Sequence, residues 1–249
     1  MIQLKSAAEQ VQMRKACRLT AQCMEHIAGM IAPGVTTGEL DRAAEAFIRK
    51  HGGIPTFKGY NGYPASVCAS VNDVVVHGIP GDRPLMEGDI IGIDLGATLG
   101  GFVGDMARTF AVGQIAPNAR KLIDVTRECF FKALAVMKPG ARVGDIGWAV
   151  QEFAESNGFS VVRDLCGHGV GRKMHEDPEV PNFGKPGRGV RLSEGMTLAV
   201  EPMINEGVWQ VEFDRADGWT VRTADGKLSA HYEETILITA DGAEIITVP

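Results

Sequence analysis

The chain lacks most of what would mark it for a familiar class. Its 249 residues hold five cysteines, none in a CxxC pair, and that odd, scattered count argues against a disulfide framework. Cys17, Cys23, Cys68, Cys129 and Cys166 therefore read as reduced thiols. For Cys68 and Cys166, burial as a small hydrophobe outweighs a nucleophilic role. Basic charge is not in excess: 25 Lys and Arg face 31 Asp and Glu, for a net charge of -6. Nothing in that balance attracts nucleic acid. No apolar run approaches the roughly 18–20 residues of a membrane span. Residues 1–10 lack the charged and apolar regions of a secretion signal, and no GxxxxGK[ST] phosphate loop is present. What remains is an expectation of a soluble cytoplasmic protein, free of nucleic-acid and membrane partners. With 45% hydrophobic residues, it can bury a substantial core.

What the chain does have is an internal duplication. Apolar residues at Val11, Ala16, Leu19, Cys23, Ile27 and Met30 follow helical spacing over 11–31, until Pro33-Gly34 stops them. Thr36-Thr37-Gly38-Glu39 is a capping box that opens a second amphipathic helix, ended by Gly52-Gly53. The same punctuation returns 106 residues later (139 − 33): Pro139-Gly140, Gly144, Asp145, Ile146, Ala149, Phe153 and Gly158 match Pro33-Gly34, Gly38, Glu39, Leu40, Ala43, Phe47 and Gly52. Further on, LMEGDIIGID (85–94) aligns with LSEGMTLAVE (192–201) at an offset of 107. Each is a Glu-Gly turn and then a buried strand. Two α-then-β halves, roughly 1–113 and 114–249, are expected in a single domain around a pseudo-twofold axis.

Each repeated strand ends on an acid, Asp94 in one half and Glu201 in the other. A second acid follows in each half, Asp105 and Glu233. The separation is 11 residues in the first half (105 − 94) and 32 in the second (233 − 201), a difference assigned to a longer hairpin around Asp225-Gly226. Related strand ends would bring four carboxylates together. Buried without cations, they would repel and desolvate at prohibitive cost. Of six histidines, His77, His168 and His175 stand in Gly- or Pro-flanked contexts, and glycines on both sides of His168 allow close approach. One imidazole with four carboxylates suits Mn, Fe(II), Co or Mg better than structural zinc.

GYPASVCASVNDVVVHGIP, GIDLGATLGGFVGDMARTF, CGHGVGRKMHEDPEV, EPMI and DGWTV…SAHYEETILIT together resemble the type I methionine aminopeptidases, in order and approximate spacing. The resemblance implies the pita-bread fold: two pseudo-twofold-related α-β halves around a curved antiparallel sheet, of class α/β (α+β). It implies a metal-dependent hydrolase that removes the initiator methionine from nascent proteins when the second residue is small. Two divalent ions (Mn, Fe(II) or Co) would be held by Asp94, Asp105, His168, Glu201 and Glu233, with Glu234 the alternative to Glu233. Glu201 would be the general base, His175 a donor to the carbonyl oxygen, and His77 a contact near the scissile amide. Tyr60, Tyr63 and Trp219 would wall the methionine pocket. Phe57, Asn61 and Met174 stand where many family members carry Cys, His and Phe, which touches pocket shape rather than metal binding. A monomer working near the ribosome is expected.

Three other readings compete. IIGIDLGATLGG (90–101) resembles the first phosphate loop of actin-like ATPases, but it lies inside a repeat whose partner reads TLAVEPMI. Xaa-Pro peptidases share the fold and generally carry an added N-terminal domain. A non-enzymatic pita-bread protein would have lost ligands that are all present here.

Overall fold

The computed structural model describes residues 2–249. In chain order the elements are α1 (Ala7–Ala28), α2 (Thr37–Lys50), β1 (Ile54–Pro55), β2 (Val67–Val71), β3 (Val74–Val76), β4 (Ile90–Leu99), β5 (Phe102–Ala111), α3 (Pro117–Val136), α4 (Val143–Ser156), β6 (Ser160–Val161), β7 (Gly167–Gly169), β8 (Glu176–Val180), β9 (Thr197–Val200), β10 (Met203–Asn205), β11 (Val211–Phe213), β12 (Val221–Thr223), β13 (Ser229–His231), β14 (Glu233–Thr239) and β15 (Gly242–Ile245). The first helix begins earlier than its apolar pattern, because Ser6 and Glu9 form a capping box ahead of it.

A nine-stranded antiparallel sheet runs β1-β4-β5-β14-β9-β7-β8, with β2 on β4 and β15 on β14. The order β4-β5 in one half mirrors β9-β14 in the other, and the join falls between β5 and β14. This is the pita-bread arrangement, and several hydrogen bonds recur at equivalent positions of its halves. Gly34 N donates to Leu85 O at 2.7 Å, as Gly140 N does to Leu192 O at 2.9 Å. Gly38 N donates to Gly81 O and Gly144 N to Arg188 O. Glycine is required at the last of these positions: a Cβ on Gly144 would lie 2.5 Å from Lys185 O. Thr20 and Thr126 donate to the carbonyls of Ala16 and Leu122, and Cys23 and Cys129 to those of Ala44 and Val150. Each of these pairs lies 106 residues apart, so the repeat reaches back through α1 and α3.

Strand alternation separates the two faces of the sheet. Ile91, Ile93, Leu95, Ala97 and Met106 pack against α1 and α2 in the core of the first half. Ile236 and Ile238 do the same against α3 and α4 in the second. Burial contributes about 2 kcal/mol for each of the isoleucine, leucine and methionine side chains, and less for Ala97. The intervening residues of the same strands, Asp94, Asp105 and Glu233, are thereby turned to the other face. The extra length between Glu201 and Glu233 is not one long hairpin. It makes a β11-β12 hairpin paired with β3, with 214–220 at its tip, and a separate turn at Asp225-Gly226 before β13. Residues 90–101 form the β4 strand and its tight turn into β5, which is no phosphate cradle. Among the described residues no helix is long and apolar enough to cross a membrane.

Candidate metal centre

The faces turned away from the helices enclose a cavity of about 210 Å³. Asp94, Asp105, His168, Glu201 and Glu233 all line it, together with His77, His175, Tyr60, Tyr63 and Trp219. Asp94 comes from the middle of β4, Asp105 from β5, His168 from β7, Glu201 from the residue after β9, and Glu233 from the start of β14. Thr235 ties the seam beneath them: its Oγ1 donates to Asp105 O at 2.8 Å and lies 3.2 Å from Asp105 N.

His168 Nδ1 lies 2.9 Å from Gly169 O, so Nδ1 carries the proton and Nε2 presents a lone pair. That Nε2 lies 3.6 Å from Asp105 Oδ2 and 3.5 Å from Glu201 Oε1. Donor atoms of Asp105, His168 and Glu233 lie within 4.8 Å of one another. Asp94 Oδ1, Asp105 Oδ1 and Glu233 Oε1 are buried with no hydrogen-bond partner. Burial pushes Asp105 up to about 7, partly offset by a hydrogen bond from Glu233. Burial, then the neighbouring acids, hold Asp94, Glu201 and Glu233 well above the ordinary carboxylate range. Protons thus stand where cations would satisfy the same oxygens. Orphaned carboxylate oxygens around an imidazole lone pair fit hard-to-borderline divalent ions, held by a histidine whose tautomer is already set.

The choice between Glu233 and Glu234 follows from strand parity. Glu234 points to the helix face with Ile236, where Arg108 Nη2 and the Tyr232 hydroxyl donate to Oε1 at 2.9 Å each, and Thr247 donates to Oε2 at 2.5 Å. Its charge is already met. Glu233 alone of the two faces the cavity.

Around the acids stand neutral donors. Burial, with a smaller effect of His175, brings His77 down to about 4, and burial also lowers His175. His77 sits in the left-handed region at φ 59, a conformation that costs about 1 kcal/mol or more for a side chain of this size. His175 is open to solvent on one side while its ring lines the cavity on the other; its Nδ1 is 2.7 Å from the Tyr60 hydroxyl, which leaves Nε2 free. Tyr63 and Trp219 meet edge to face at 5.1 Å. Tyr63 is also core, its hydroxyl 3.1 and 3.0 Å from the carbonyls of Val67 and Gly78. Phe57, Asn61 and Met174 line the cavity as well. Cys68 is buried against it, whereas Cys166 is only half buried at its edge. Burial raises both thiols, Cys166 to about 11, so neither supplies a thiolate nucleophile at neutral pH. A wider groove of about 770 Å³ opens beside the cavity and shares Cys166, His168 and His175 with it.

Sequence reading missed two features. His231, at the end of β13, is buried with its Nε2 3.7 Å from Glu201 Oε2 and otherwise unpartnered; its place two residues before Glu233 was the available signal. The second is that His77 and His175 are repeat equivalents. Cys68, His77 and Pro80 recur as Cys166, His175 and Pro178, each 98 residues on (166 − 68).

Comparison with known proteins agrees with this architecture. Residues 11–240 match metallopeptidase family M24. A methionine aminopeptidase of Clostridium perfringens is 54% identical over 248 residues, covering 100% of this chain and 99% of that one. Methionine aminopeptidase 1 of Bacillus subtilis is 51% identical over 247 residues, covering 99% of each. The crystal structure of methionine aminopeptidase from Rickettsia prowazekii superposes with a TM-score of 0.98 at 44% identity, over 100% of both chains. With its fold, its cavity of acids and its full-length likeness to these enzymes, the chain belongs to metallopeptidase family M24.

Proposed function

We propose that this chain is a methionine aminopeptidase, a metal-dependent hydrolase that removes the N-terminal methionine from polypeptides with a small second residue. One observation carries the reading: five potential ligands from both halves face one cavity that also holds two neutral histidines and an aromatic wall. Asp94, Asp105, His168, Glu201 and Glu233, which all face the cavity, would together hold two divalent ions (Mn, Fe(II) or Co). Bound there, the ions supply Lewis acidity for the scissile carbonyl and bring the pKa of a water towards neutrality.

The chain's own groups do the rest. Glu201, set between the Nε2 atoms of His168 and His231, takes a proton from the attacking water and returns it to the leaving nitrogen. His175 Nε2 donates to the carbonyl oxygen as negative charge develops, a contribution of about 3 kcal/mol. His77 stands at the scissile amide. Tyr60, Tyr63, Trp219, Phe57 and Met174 offer aromatic and polarizable surface to a thioether. Residues 1–249 act as one peptidase domain, in the cytoplasm, as a monomer meeting nascent chains near the ribosome; gel filtration and ribosome co-sedimentation test the last two points.

The test compares cleavage of Met-Ala-Ser and Ala-Pro-Ser with Mn, Fe(II) or Co, then with chelator. Met-Ala-Ser should be cut, Ala-Pro-Ser should not, and chelation should stop turnover until an ion is restored. Preference for Ala-Pro-Ser, or indifference to chelation, would overturn the reading.

A further inference from the structure

Lys5 is far in sequence from every residue of the cavity, yet its ammonium lies 2.6 Å from Glu176 Oε2, beside His175. Both side chains of this ion pair are almost wholly buried, at 5% and 7% exposed. The ammonium also donates to Gln3 O at 3.2 Å, and the second oxygen of Glu176 accepts from Lys173 N at 3.2 Å. Lys5 itself is held from both sides: its N–H donates to Gly195 O at 2.7 Å, and its carbonyl accepts from Gln10 Nε2 at 2.9 Å.

Residues 170–175 join β7 to β8 and so link His168 to His175. This loop is folded tightly over the ion pair. A Cβ on Gly171 would come within 2.5 Å of Lys5 Cε and 2.6 Å of Glu176 Oε1. On the other side the Gly171 carbonyl accepts from Val103 N at 2.8 Å. His175 has few restraints of its own, namely the Tyr60 hydroxyl and the ring of His168 at 4.3 Å. Its orientation depends on the backbone that leads into it.

A buried ion pair adds little net stability, because desolvation offsets the attraction. What it imposes is a fixed separation, since moving either partner strands a charge. We infer that Lys5 is a positioning residue: through Glu176 it fixes loop 170–175 and thereby aims His175 at the reacting carbonyl. This rests on the role proposed above for His175.

The test measures kcat, KM, metal content and thermal unfolding for Lys5→Met, Lys5→Arg, Glu176→Gln, His175→Ala and the double variant Lys5→Met/His175→Ala, with Met-Ala-Ser as substrate. Loss of either partner should lower kcat about 10-fold, the low end for groups that orient a site from behind, with KM and metal content unchanged. Lys5→Arg should recover most of the rate. The double variant should be no slower than His175→Ala. If Lys5→Met does not fold, Glu176→Gln carries the same expectation. Wild-type kcat in both Lys5→Met and Glu176→Gln, metal loss, or a double variant slower by the full Lys5 factor would overturn the inference. If His175→Ala itself keeps wild-type kcat, the role given to His175 falls, and that of Lys5 with it. If His175→Ala is slow and the ion-pair variants are not, only the role of Lys5 falls.

Discussion

The two halves of the molecule share hydrogen bonds down to the side chains of individual threonines and cysteines, but they bring different chemistry to the cavity. Each supplies one acid at a strand end, Asp94 or Glu201, and one on the neighbouring strand, Asp105 or Glu233. Each also supplies one flanking histidine, His77 or His175. The halves part at the strand beside the first acid. His168 faces Ala199, two residues before Glu201. Ser70 faces Gly92, two residues before Asp94. The first half uses that position structurally, Ser70 Oγ accepting from Gly78 N at 3.3 Å next to His77. The second half uses it for an imidazole lone pair. Duplication thus places acids at matching strand positions, and a serine in one half against a histidine in the other gives only the second half an imidazole beside its first acid.

His168→Ser makes the halves alike and breaks this comparison most severely. It should abolish turnover of Met-Ala-Ser and reduce metal content, as should Glu201→Ala; unchanged rates would refute both assignments. His175→Ala should come next, with kcat lower by roughly 10²-fold, within the range for a lost transition-state hydrogen bond. His77→Ala should mark how far the first half's equivalent shares that duty.

The shared acids answer to pH. Without metal, Asp105 has its folded value raised to about 7, above the ordinary unfolded value of about 4. Its proton-bound form therefore favours the fold below about pH 4, and this contribution is lost as pH rises through about 7. Chelated protein should melt lower at pH 8 than at pH 5, and added Mn should raise Tm more at pH 8. An equal metal effect at both values would contradict a cluster that exchanges protons for cations.

Smaller effects sharpen the contrast. The hairpin carrying Trp219 has no counterpart in the first half, so Trp219→Ala should raise KM about 10-fold, equivalent to a lost aromatic contact of about 1.4 kcal/mol, with kcat little changed. The capping positions differ too. Thr36 caps α2 with its side chain, receiving Glu39 N while its own N–H reaches Glu39 Oε2. At the equivalent Arg142 only the backbone half remains, N–H to Asp145 Oδ2 at 2.7 Å. Thr36→Ala should cost about 1 kcal/mol in denaturant unfolding, and Arg142→Ala less.

Much of this was legible in the residues because most of the repeat runs without gaps. Glycines and prolines recur at one offset, and the strands carry their terminal acids with them. The equivalence of His77 and His175 was hidden because the loops before them differ in length, which moves the offset from 106 to 98. The extra residues before Glu233 were misread as one hairpin because a β11-β12 pair with β3 is a tertiary choice, made by distant partners. The parity of Glu233 and Glu234 depends on register with β5 and β9, where adjacent residues take opposite faces. His231 was overlooked because no apolar run leads up to it.

Acids from both halves should hold one shared pair of cations. Anomalous scattering from crystals grown with Mn(II) tests it directly. Two peaks should appear in the cavity, both within bonding distance of Asp105 and Glu233, with Asp94 on one and His168 and Glu201 on the other. A single peak held by one half alone, or peaks away from these residues, would contradict it.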